Sequence, residues 1–591
     1  MCTTNQIAGG PLQLIRRFRI PALFCALAVL VCELVSRPFV AMGVADDWPY
    51  IVSARTLAAT GHIVYNGWAA PILGWQLYAG AAFIRLFGPS FTAVRMSTLL
   101  ISMTTAFVIQ RILVRLGISE FNATLGTLAL VLSPLYLMLS VTFMTDIFGL
   151  FAVVLCLYGC LRALQAPTAR TIIVWLIFAV ITNAIGGTSR QIAWLGILVM
   201  VPSTLWLLRA QRRDLPAQRL ILIAGATANL LGILFIFAVL HWFALQPYTL
   251  PEHIFVASNS AAHTLAAILY FFLDLPFLLV PLVVLFLPEM RKSHSRVLAM
   301  IAAITAGYLL LAFLWRHSHP NLLLEPTLRD WVGVYGIFEG GNLQGTPPVF
   351  LGTLARIFLT IASLGGLLGF IASLASSRLP DVTTPTFPSL TWKQLTILLL
   401  PFSLAYTLLL IPRAAGSVIY DRYALSLLVI ATIFLVRYYQ QKIHFRLPRI
   451  TILFIAAIAA YGIATTHNLF SLYRARVALA SELQHANIPD TSVDYGWEYN
   501  IGVELQHANH LNEPTIVVPA DAYVSQPPLP DTTCPMHSAE LTPHLKPLYG
   551  LSFYPNSCYG LAPFAPAQYS RWLASTPGTL YIVRYTPPPK P

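Results

Sequence analysis

The sequence predicts an all-α polytopic membrane protein with about 13 transmembrane helices and a small C-terminal α/β domain. Of the 591 residues, 57% are hydrophobic and only 10% are charged, whereas about 25% of residues in soluble domains are charged. Apolar runs of about 20 residues recur along most of the chain, and each is long enough to cross the roughly 30 Å of hydrocarbon in a bilayer. The chain after position 470 is instead polar and rich in proline.

The first element is a basic N-terminal segment, residues 1–19, predicted to be cytoplasmic. The apolar run that follows is longer than a signal-peptide core and lacks a small-residue cleavage site, so it is expected to remain as the first span. The predicted spans centre on residues 20–42, 92–113, 123–141, 147–164, 171–188, 191–208, 220–243, 264–287, 297–315, 350–375, 393–411, 422–440 and 450–468.

One further apolar stretch, PILGWQLYAGAAFIRLFG at 71–88, is predicted to lie along the membrane interface. Basic residues mark cytoplasmic loops, and only this interpretation puts all the basic clusters on one side. The first outer loop, 43–91, would then contain this segment and a second juxtamembrane helix in DDWPYIVSARTLAATG. The net charge of +13 thus reflects topology, and nucleic acid is not an expected partner. The clusters are Arg16, Arg17 and Arg19; Arg209, Arg212, Arg213 and Arg219; Arg291, Lys292 and Arg296; and Arg437, Lys442, Arg446 and Arg449.

The chain therefore divides into a transmembrane module at 20–469 and a soluble domain at 470–591 on the outer side. Strand-like pieces such as TIVVP and GTLYIVRY predict an α/β or mixed domain. Cys534 and Cys558 lie in this tail, and they can form a disulfide if the tail is in an oxidising compartment.

Acidic residues are scarce between the first span and the tail, so their positions are informative. Asp46 and Asp47 are adjacent in the first outer loop, Asp146 opens the fourth span, and Asp421 opens the twelfth. A solvated loop acid or a helix N-cap would explain any one of them. Two adjacent carboxylates, however, repel each other and gain no stability at a membrane boundary. The pair therefore indicates a site that needs negative charge.

Cationic residues accompany these acids on the predicted outer side: Arg190, Arg413 and Arg422, with Tyr420 beside them in the chain. Arg413 and Arg422 have an alternative explanation, because they could pair with a neighbouring acid or with lipid headgroups. Arginine binds phosphate through two parallel hydrogen bonds and offsets charge on a leaving group. A carboxylate can deprotonate a hydroxyl group. Together these residues predict a site for a lipid phosphate at the outer membrane surface.

Five segments follow, in order, the pattern of bacterial GT-C glycosyltransferases: DDWPYIVSARTLAATGHIVYNG, LFGPSFTAVRMSTLL, VTFMTDIFGL, TSRQIAW and YDRYALSLL. Over about residues 15–470 the chain most resembles the protein O-mannosyltransferase-like and aminoarabinose-lipid A transferase-like branches. The resemblance implies a bacterial inner-membrane protein with a periplasmic C-terminal domain. It also implies inverting transfer of a sugar from a polyprenyl-phosphate donor to a hydroxyl group of a lipid, glycan or protein acceptor, among membrane lipids.

The resemblance further implies that the first-loop acid pair carries the catalytic base. Asp46 is the preferred base and Asp47 the alternative, while Asp146 is expected to help shape the site. Two departures from the family pattern leave details open. Asp47 stands where many relatives have Glu, so the base assignment stays between the two acids. Pro71 stands alone where His-Pro-Pro or Pro-Pro is usual, which leaves the identity of donor and acceptor open.

No cofactor is assigned, although a divalent cation stays open because some relatives bind one with outer-loop acids. The outer-side histidines (His241, His253, His263, His317 and His319) lack the spacing typical of metal ligands. Glu33 and Asp274, inside spans, are expected to form hydrogen bonds within the bundle.

Two other functions compete with the transferase: a transporter or flippase of lipid-linked glycans, and a catalytically silent member of a polysaccharide assembly complex. A transporter would place its charges in broken helices near the membrane midplane. Here most of the candidate charges lie at one interface, which favours an enzyme.

Overall fold

A computed structural model of the chain describes residues 11–211, 217–251, 257–315, 324–328, 331–337, 343–376, 390–526, 534 and 536–587. The α-helices are α1 (Pro11–Ser36), α2 (Asp47–Thr60), α3 (Gly74–Phe87), α4 (Phe91–Arg115), α5 (Glu120–Val131), α6 (Pro134–Ser140), α7 (Thr145–Gln165), α8 (Ala169–Gly186), α9 (Val201–Gln211), α10 (Gln218–Ala244), α11 (Ala261–Leu278), α12 (Val280–Val283), α13 (Ser295–Trp315), α14 (Thr353–Ala375), α15 (Trp392–Gly416), α16 (Leu425–Tyr438), α17 (Ile450–His485) and α18 (Trp497–Ala508).

The number of membrane spans agrees with the predicted fold class. Twelve helical segments in the described ranges are long and apolar enough to cross a membrane, and the bent pair α5–α6 raises the number to 13. That pair is bent by 71° where Pro134 begins α6 and the Ser133 hydroxyl caps it. Proline has no N–H to donate to the preceding turn, so the α5 helix cannot continue through this point. The chain is therefore a multi-pass membrane protein.

Several spans contain 3₁₀ or π segments. Two of the 3₁₀ turns, Gln191–Trp194 and Asp421–Ala424, come at the outer ends of their spans and directly follow Arg190 and Tyr420. Such tight turns are common at helix ends. Here they set the direction of the charged side chains described below. The remaining segments of this kind are Gly196–Met200, Val284–Lys292 and Tyr439–Ile443.

The first outer loop contains two short helices, as predicted. α2 buries one face through Trp48, Ile51, Ala54 and Leu57. It packs on α3, where a Cβ added at Gly80 would lie 3.3 Å from the Cβ of Ala54. α3 has 14 residues, fewer than the roughly 20 that a perpendicular span needs.

The last helix of the predicted spans, α17, continues past residue 470 to His485, and its final turns pack with the C-terminal domain. After it come β3 (Val493–Asp494), α18, β4 (Tyr549–Ser552), β5 (Ala567–Tyr569) and β6 (Gly578–Arg584). The strands form one sheet in the order β3-β4-β6-β5, with β3 parallel to β4 and the other neighbours antiparallel. The sheet packs on the outer part of α17 through Leu479, Leu483, Leu551, Leu580 and Ile582.

The two strand-like segments of the tail had different outcomes. GTLYIVRY forms β6, which confirms that prediction. The prediction for TIVVP, residues 515–519, is wrong, because this segment is irregular. The Thr515 hydroxyl and amide donate to Glu513 Oε1 at 2.7 and 3.1 Å, and such local bonds compete with a strand. Cys534 and Cys558 form a disulfide, with Cα atoms 5.4 Å apart.

A short hairpin in the loop after α13 reaches the outer ends of the spans. Its strands are β1 (Val332–Gly333) and β2 (Gly336–Ile337), which puts β1–β2 before β3 in the chain. Gly336 has a φ of +117°, a conformation that side chains disfavour. A Cβ there would have space, since its nearest neighbour is Thr465 Cγ2 at 4.0 Å. The backbone conformation of the turn, rather than crowding, therefore favours glycine at this position.

Candidate functional site

Four charged side chains from distant parts of the sequence meet at the end of the spans that the sequence predicts to face outward. Arg190 Nη1 lies 2.7 Å from Asp146 Oδ1, and it also donates to Thr145 Oγ1 at 3.0 Å. Arg422 Nη1 lies 3.5 Å from Asp46 Oδ2 and 3.9 Å from Asp146 Oδ2. The Arg422 guanidinium therefore contacts both carboxylates. We call Asp46, Asp146, Arg190 and Arg422 the charge cluster.

The local sequence explains how α7 holds its part of the cluster. Asp146 is in the first turn of α7, where the positive end of the helix dipole favours a carboxylate. Gly149 lies about one turn further along. A Cβ at Gly149 would come within 2.9 Å of Arg190 Cβ and Cδ, so the glycine leaves the space in which Arg190 lies against the helix.

Aromatic rings cover both guanidinium groups. Arg190 Cζ lies 4.8 Å from the ring centroid of Tyr423, and Arg422 Cζ lies 4.6 Å from that of Tyr420. The Trp331 ring is 5.6 Å from Arg422 Cζ. Cations attract the faces of aromatic rings, so these contacts orient both arginines with little exposure to water.

Asp421, adjacent to Arg422, has a structural role. Its buried carboxylate accepts hydrogen bonds from the backbone N–H groups of Trp331 and Val332 at 3.0 and 2.7 Å. These bonds fix the β1–β2 hairpin to the start of the twelfth predicted span. The Trp331 ring is thereby held next to Arg422.

The cluster borders a cavity of about 240 Å³, counting the space that is open to the surroundings. Asp146, Arg190 and Arg422 line it together with Tyr406 and Ser426. Asp46 is not in this lining and is connected to it through Arg422. The exposed fractions of the side chains are 1% for Asp146, 11% for Arg422, 18% for Arg190 and 22% for Asp46.

The surroundings of Asp46 change its acidity. Burial raises the pKa of its carboxyl above the ordinary value of 3.8, the Arg422 guanidinium opposes this shift, and the negative charge of Asp146 adds to it. Charges of Asp46 and Asp146 also act on Tyr50, the pKa of which is raised mainly by burial. Asp46 is therefore a more basic carboxylate than a solvated aspartate.

Asp47 occupies a different environment from its neighbour. It is fully buried, and its Oδ2 accepts from Arg95 Nε at 2.8 Å and its Oδ1 from Arg95 Nη2 at 3.2 Å. It also accepts from the backbone N–H groups of Val44 at 2.7 Å and Phe143 at 3.3 Å. Both oxygens are thus used to join the first outer loop to α4. The sequence treats the two acids as one pair, but the fold separates them, because Asp47 is enclosed and only Asp46 is in the charge cluster.

The other predicted residues also differ in placement. Tyr420 contacts the cluster through its ring. Arg413 is in the last turn of α15. Among the described residues, it does not belong to those that line the cavity at the charge cluster. Glu33 accepts from Ser36 Oγ at 3.1 Å, and Asp274 Oδ1 accepts from Thr327 N and Oγ1 at 2.8 and 2.7 Å. These two acids therefore form the internal hydrogen bonds expected of them.

The sequence analysis missed several residues near the cluster. Arg95 had a signal, because an arginine inside an apolar helix requires a buried partner. Glu498 lies in the tail segment VDYGWEYNIG and forms an ion pair with Arg476 at 2.9 Å. No local pattern distinguishes Tyr406, the hydroxyl of which donates to the Tyr423 carbonyl at 2.8 Å.

The charge cluster does not fit a divalent cation. Within the described ranges, no group of three or more His, Cys, Asp and Glu side chains is arranged to hold a metal ion. Asp46 and Asp146 each face a guanidinium group, which supplies the positive charge that a metal would bring. His253, His317 and His319 lie outside the described residues, so this result applies to the charge cluster and not to those histidines.

No protein-family model matches the chain, and no curated protein sequence matches it. Several solved structures are similar to it, and three of them are described here. The apo ArnT from Cupriavidus metallidurans is 16% identical with a TM-score of 0.34, over 70% of this chain and 76% of that chain. The archaeal oligosaccharyltransferase AglB from Archaeoglobus fulgidus, in complex with an inhibitory peptide and a dolichol-phosphate, is 14% identical with a TM-score of 0.33, over 79% and 58%.

The third is the S. cerevisiae protein O-mannosyltransferase Pmt1-Pmt2 complex bound to the sugar donor, 15% identical with a TM-score of 0.33, over 40% of this chain and 35% of that chain. The chain thus spans about a third of that relative. All three are GT-C glycosyltransferases, the family that the sequence resembles. A similarity this distant carries no argument about the site or the activity.

Proposed function

We propose that this chain is a glycosyltransferase that moves a sugar from a polyprenyl-phosphate donor to a hydroxyl acceptor at the outer membrane face, with inversion. One observation supports this more than any other: Arg422 contacts both Asp46 and Asp146. A single guanidinium group there connects a candidate base with a candidate phosphate site.

Arg190 and Arg422 would bind the donor phosphate. Both lie at the ends of predicted spans, and a lipid with its prenyl chain in the bilayer would present its phosphate at such a span end. Their side chains are 18% and 11% exposed. Electrostatic attraction is stronger in such poorly solvated surroundings than in water. Asp146 would hold Arg190 in position, with Gly149 providing the space.

Asp46 would act as the general base. In the proposed step the acceptor oxygen forms a bond to the anomeric carbon while the bond from that carbon to the phosphate oxygen breaks. The electron pair of the broken bond stays on the phosphate, and the acceptor proton moves to Asp46. Attack from the face opposite the phosphate inverts the configuration. The raised pKa of Asp46 favours this proton transfer, because a base works best when its pKa is near the operating pH.

The contact between Asp46 and Arg422 couples the two halves of this step. The four groups of the charge cluster are formally neutral together. When Asp46 accepts a proton, the cluster gains one positive charge. At the same moment the leaving phosphate gains one negative charge, and its attraction to Arg422 becomes stronger. Charge separation in the poorly solvated site is thereby kept small.

The proposal includes a bacterial inner-membrane location with the C-terminal domain in the periplasm. The disulfide between Cys534 and Cys558 supports an oxidising compartment for that domain, because such bonds are rare in the cytosol. The position of the charge cluster at one end of the bundle supports an enzyme over a transporter, which would need charges near the midplane.

The experiment is transfer of labelled sugar from a panel of polyprenyl-phosphate donors by the purified full-length protein. Asp46→Asn should lower turnover by about 10²–10⁴-fold, the usual contribution of a general base. Asp521→Asn, at an exposed site in the C-terminal domain, is the matched control and should keep full turnover. Unchanged turnover in Asp46→Asn would refute the base assignment. A wild type that transfers no sugar from any donor would favour the transporter or the silent complex member.

A further inference from the structure

A second and larger cavity lies between the C-terminal domain and the outer part of α17. It measures about 700 Å³, counting the space that is open to solvent. We call it the interdomain cavity. Three parts of the chain form its walls: the β1–β2 hairpin with the loop after it, α17, and the C-terminal sheet. The lining comprises Tyr335, Gly336, Ile337, Leu343, Pro347, Pro348, Phe350, Thr465, Asn468, Leu469, Leu472, Tyr473, Arg476, Phe553, Tyr569 and Arg571.

We infer that the interdomain cavity binds the acceptor, and that the acceptor is a saccharide. This inference rests on the proposed glycosyl transfer and names its second substrate. The cavity has to meet two conditions: its chemistry must suit a sugar, and it must adjoin the proposed base.

The lining combines aromatic rings with polar groups. Five of its residues are aromatic, and Asn468, Thr465, Arg476 and Arg571 bring amide, hydroxyl and guanidinium groups. In the described part of the chain, the lining includes no Asp or Glu. Sugar rings have apolar C–H faces that pack on aromatic rings and hydroxyl groups that pair with such donors and acceptors. The cavity therefore suits a neutral or anionic saccharide.

The first wall extends from the cavity to Arg422. Tyr335, Gly336 and Ile337, in the turn and second strand of the β1–β2 hairpin, line the cavity. Ile337 pairs with Val332, and the preceding residue, Trp331, lies against Arg422, held there by the bond from its N–H to Asp421. A single hairpin of a few residues thus separates the interdomain cavity from the charge cluster.

The second wall extends from the cavity to Asp46. Tyr473 and Arg476 line the cavity, and both bind Glu498 behind it, the Tyr473 hydroxyl at 2.5 Å and Arg476 Nη2 at 2.9 Å. The next residue, Tyr499, has its ring centroid 5.9 Å from that of Trp48, two residues after Asp46. The two walls therefore lead to the two partners of the contact between Asp46 and Arg422, which places the cavity beside the proposed base.

A peptide acceptor fits this cavity less well. One common way for an extended peptide to bind is to add a strand to an open sheet edge, and the edge strand next to the cavity is β5. α17 covers the chain at the end of that strand. The Ser570 N–H donates to Ser471 Oγ at 3.0 Å, and the Trp572 N–H donates to Asn468 Oδ1 at 2.6 Å. These backbone donors are already used and cannot bind a peptide.

The test is calorimetric titration of the full-length protein with neutral oligosaccharides, uronic-acid oligosaccharides, a Ser/Thr-rich peptide and a short-chain phospholipid. Titrations use the wild type and Asp46→Asn, in which transfer is blocked. Tyr335→Ala and Phe553→Ala remove rings from opposite walls of the cavity, and Tyr335 lies outside the C-terminal domain. Tyr523→Ala, an exposed aromatic in the same domain, is the matched control.

We expect the wild type and Asp46→Asn to bind a saccharide with equal affinity. Each cavity variant should bind it about tenfold more weakly and should have a higher KM for the acceptor. The Tyr523→Ala control should match the wild type. Preferential binding of the peptide or the phospholipid would overturn the inference. It would also be overturned if both cavity variants bound the saccharide as tightly as the wild type, or if the wild type bound no saccharide. Cavity-dependent saccharide binding without any transfer would support the site and refute the transferase. Sugar transfer with the same KM for the acceptor in the wild type and in both cavity variants would support the transferase and refute the cavity as the acceptor site.

Discussion

Asp46 and Asp47 are adjacent, yet the structure predicts that neutralising them has opposite consequences. Asp47→Asn should destabilise the protein, because Arg95 would keep its charge in a fully buried position without a counter-charge. Asp46→Asn should leave the fold intact and lower turnover by about 10²–10⁴-fold. The contrast follows from the exposed fractions of the two side chains, 0% for Asp47 and 22% for Asp46.

The size of the two effects can be worked from the contacts. Asp47 and Arg95 form two hydrogen bonds at 2.8 and 3.2 Å. Removing one partner of such a buried pair costs about 3–5 kcal/mol, since the other charge stays uncompensated. The contact of Asp46 with Arg422 is longer, at 3.5 Å, and partly exposed. Its loss should cost about 1 kcal/mol or less.

The assay combines thermal unfolding of the detergent-solubilised protein with sugar transfer measured on the folded fraction. A double variant, Asp47→Asn with Arg95→Gln, serves as the control, because removing both charges leaves neither uncompensated and should restore part of the stability. The reasoning is refuted if Asp47→Asn unfolds like the wild type and loses turnover while Asp46→Asn stays active. In that case Asp47 is the base and its pairing with Arg95 is not structural.

Three further predictions concern the site and the domain. Gly149→Ala should lower turnover about tenfold or more, because its Cβ would displace Arg190; unchanged kinetics would show that Arg190 is not needed there. In the pH profile of kcat/KM, the fall in activity on the acid side should have its midpoint above pH 3.8, because burial raises the pKa of Asp46. Arg422→Gln should move this midpoint to higher pH, because it removes a positive charge that lowers the pKa of Asp46; an unchanged midpoint would contradict this. Cys558→Ser opens a loop with a sequence separation of 24 and should cost about 3 kcal/mol of unfolding free energy, measured by thermal unfolding with and without reductant; equal curves would exclude a stabilising disulfide.

Most of the fold was predictable because membrane spans follow from length and hydrophobicity alone. The interfacial assignment of residues 71–88 depended on the positions of basic residues in distant loops, and α3 agrees with it. The boundary at 470 stays a prediction, and it falls inside α17. α17 continues because its outer part buries Leu479 and Leu483 against the C-terminal sheet, and no break in the sequence reports where a helix leaves the bilayer.

The candidate site was predictable in its charges but not in their partners. Asp146, Arg190 and Arg422 were identified from their rarity and their common side. The sequence does not show which of two adjacent acids turns inward, because that depends on Arg95 in another helix. The rings over the arginines, such as Trp331, come from loops whose position only the folded chain defines.

The length of α17 has a consequence for how the two halves of the molecule move. Its 36 residues correspond to about 54 Å, so about 24 Å extends beyond the roughly 30 Å of hydrocarbon. A continuous helix has no hinge, and each residue advances it by about 1.5 Å and turns it by about 100°. The number of residues in α17 therefore sets both the height of the C-terminal domain above the bilayer and the direction in which that domain faces. Inserting a single residue there would lift the domain only slightly, but it would rotate its side of the interdomain cavity away from the hairpin.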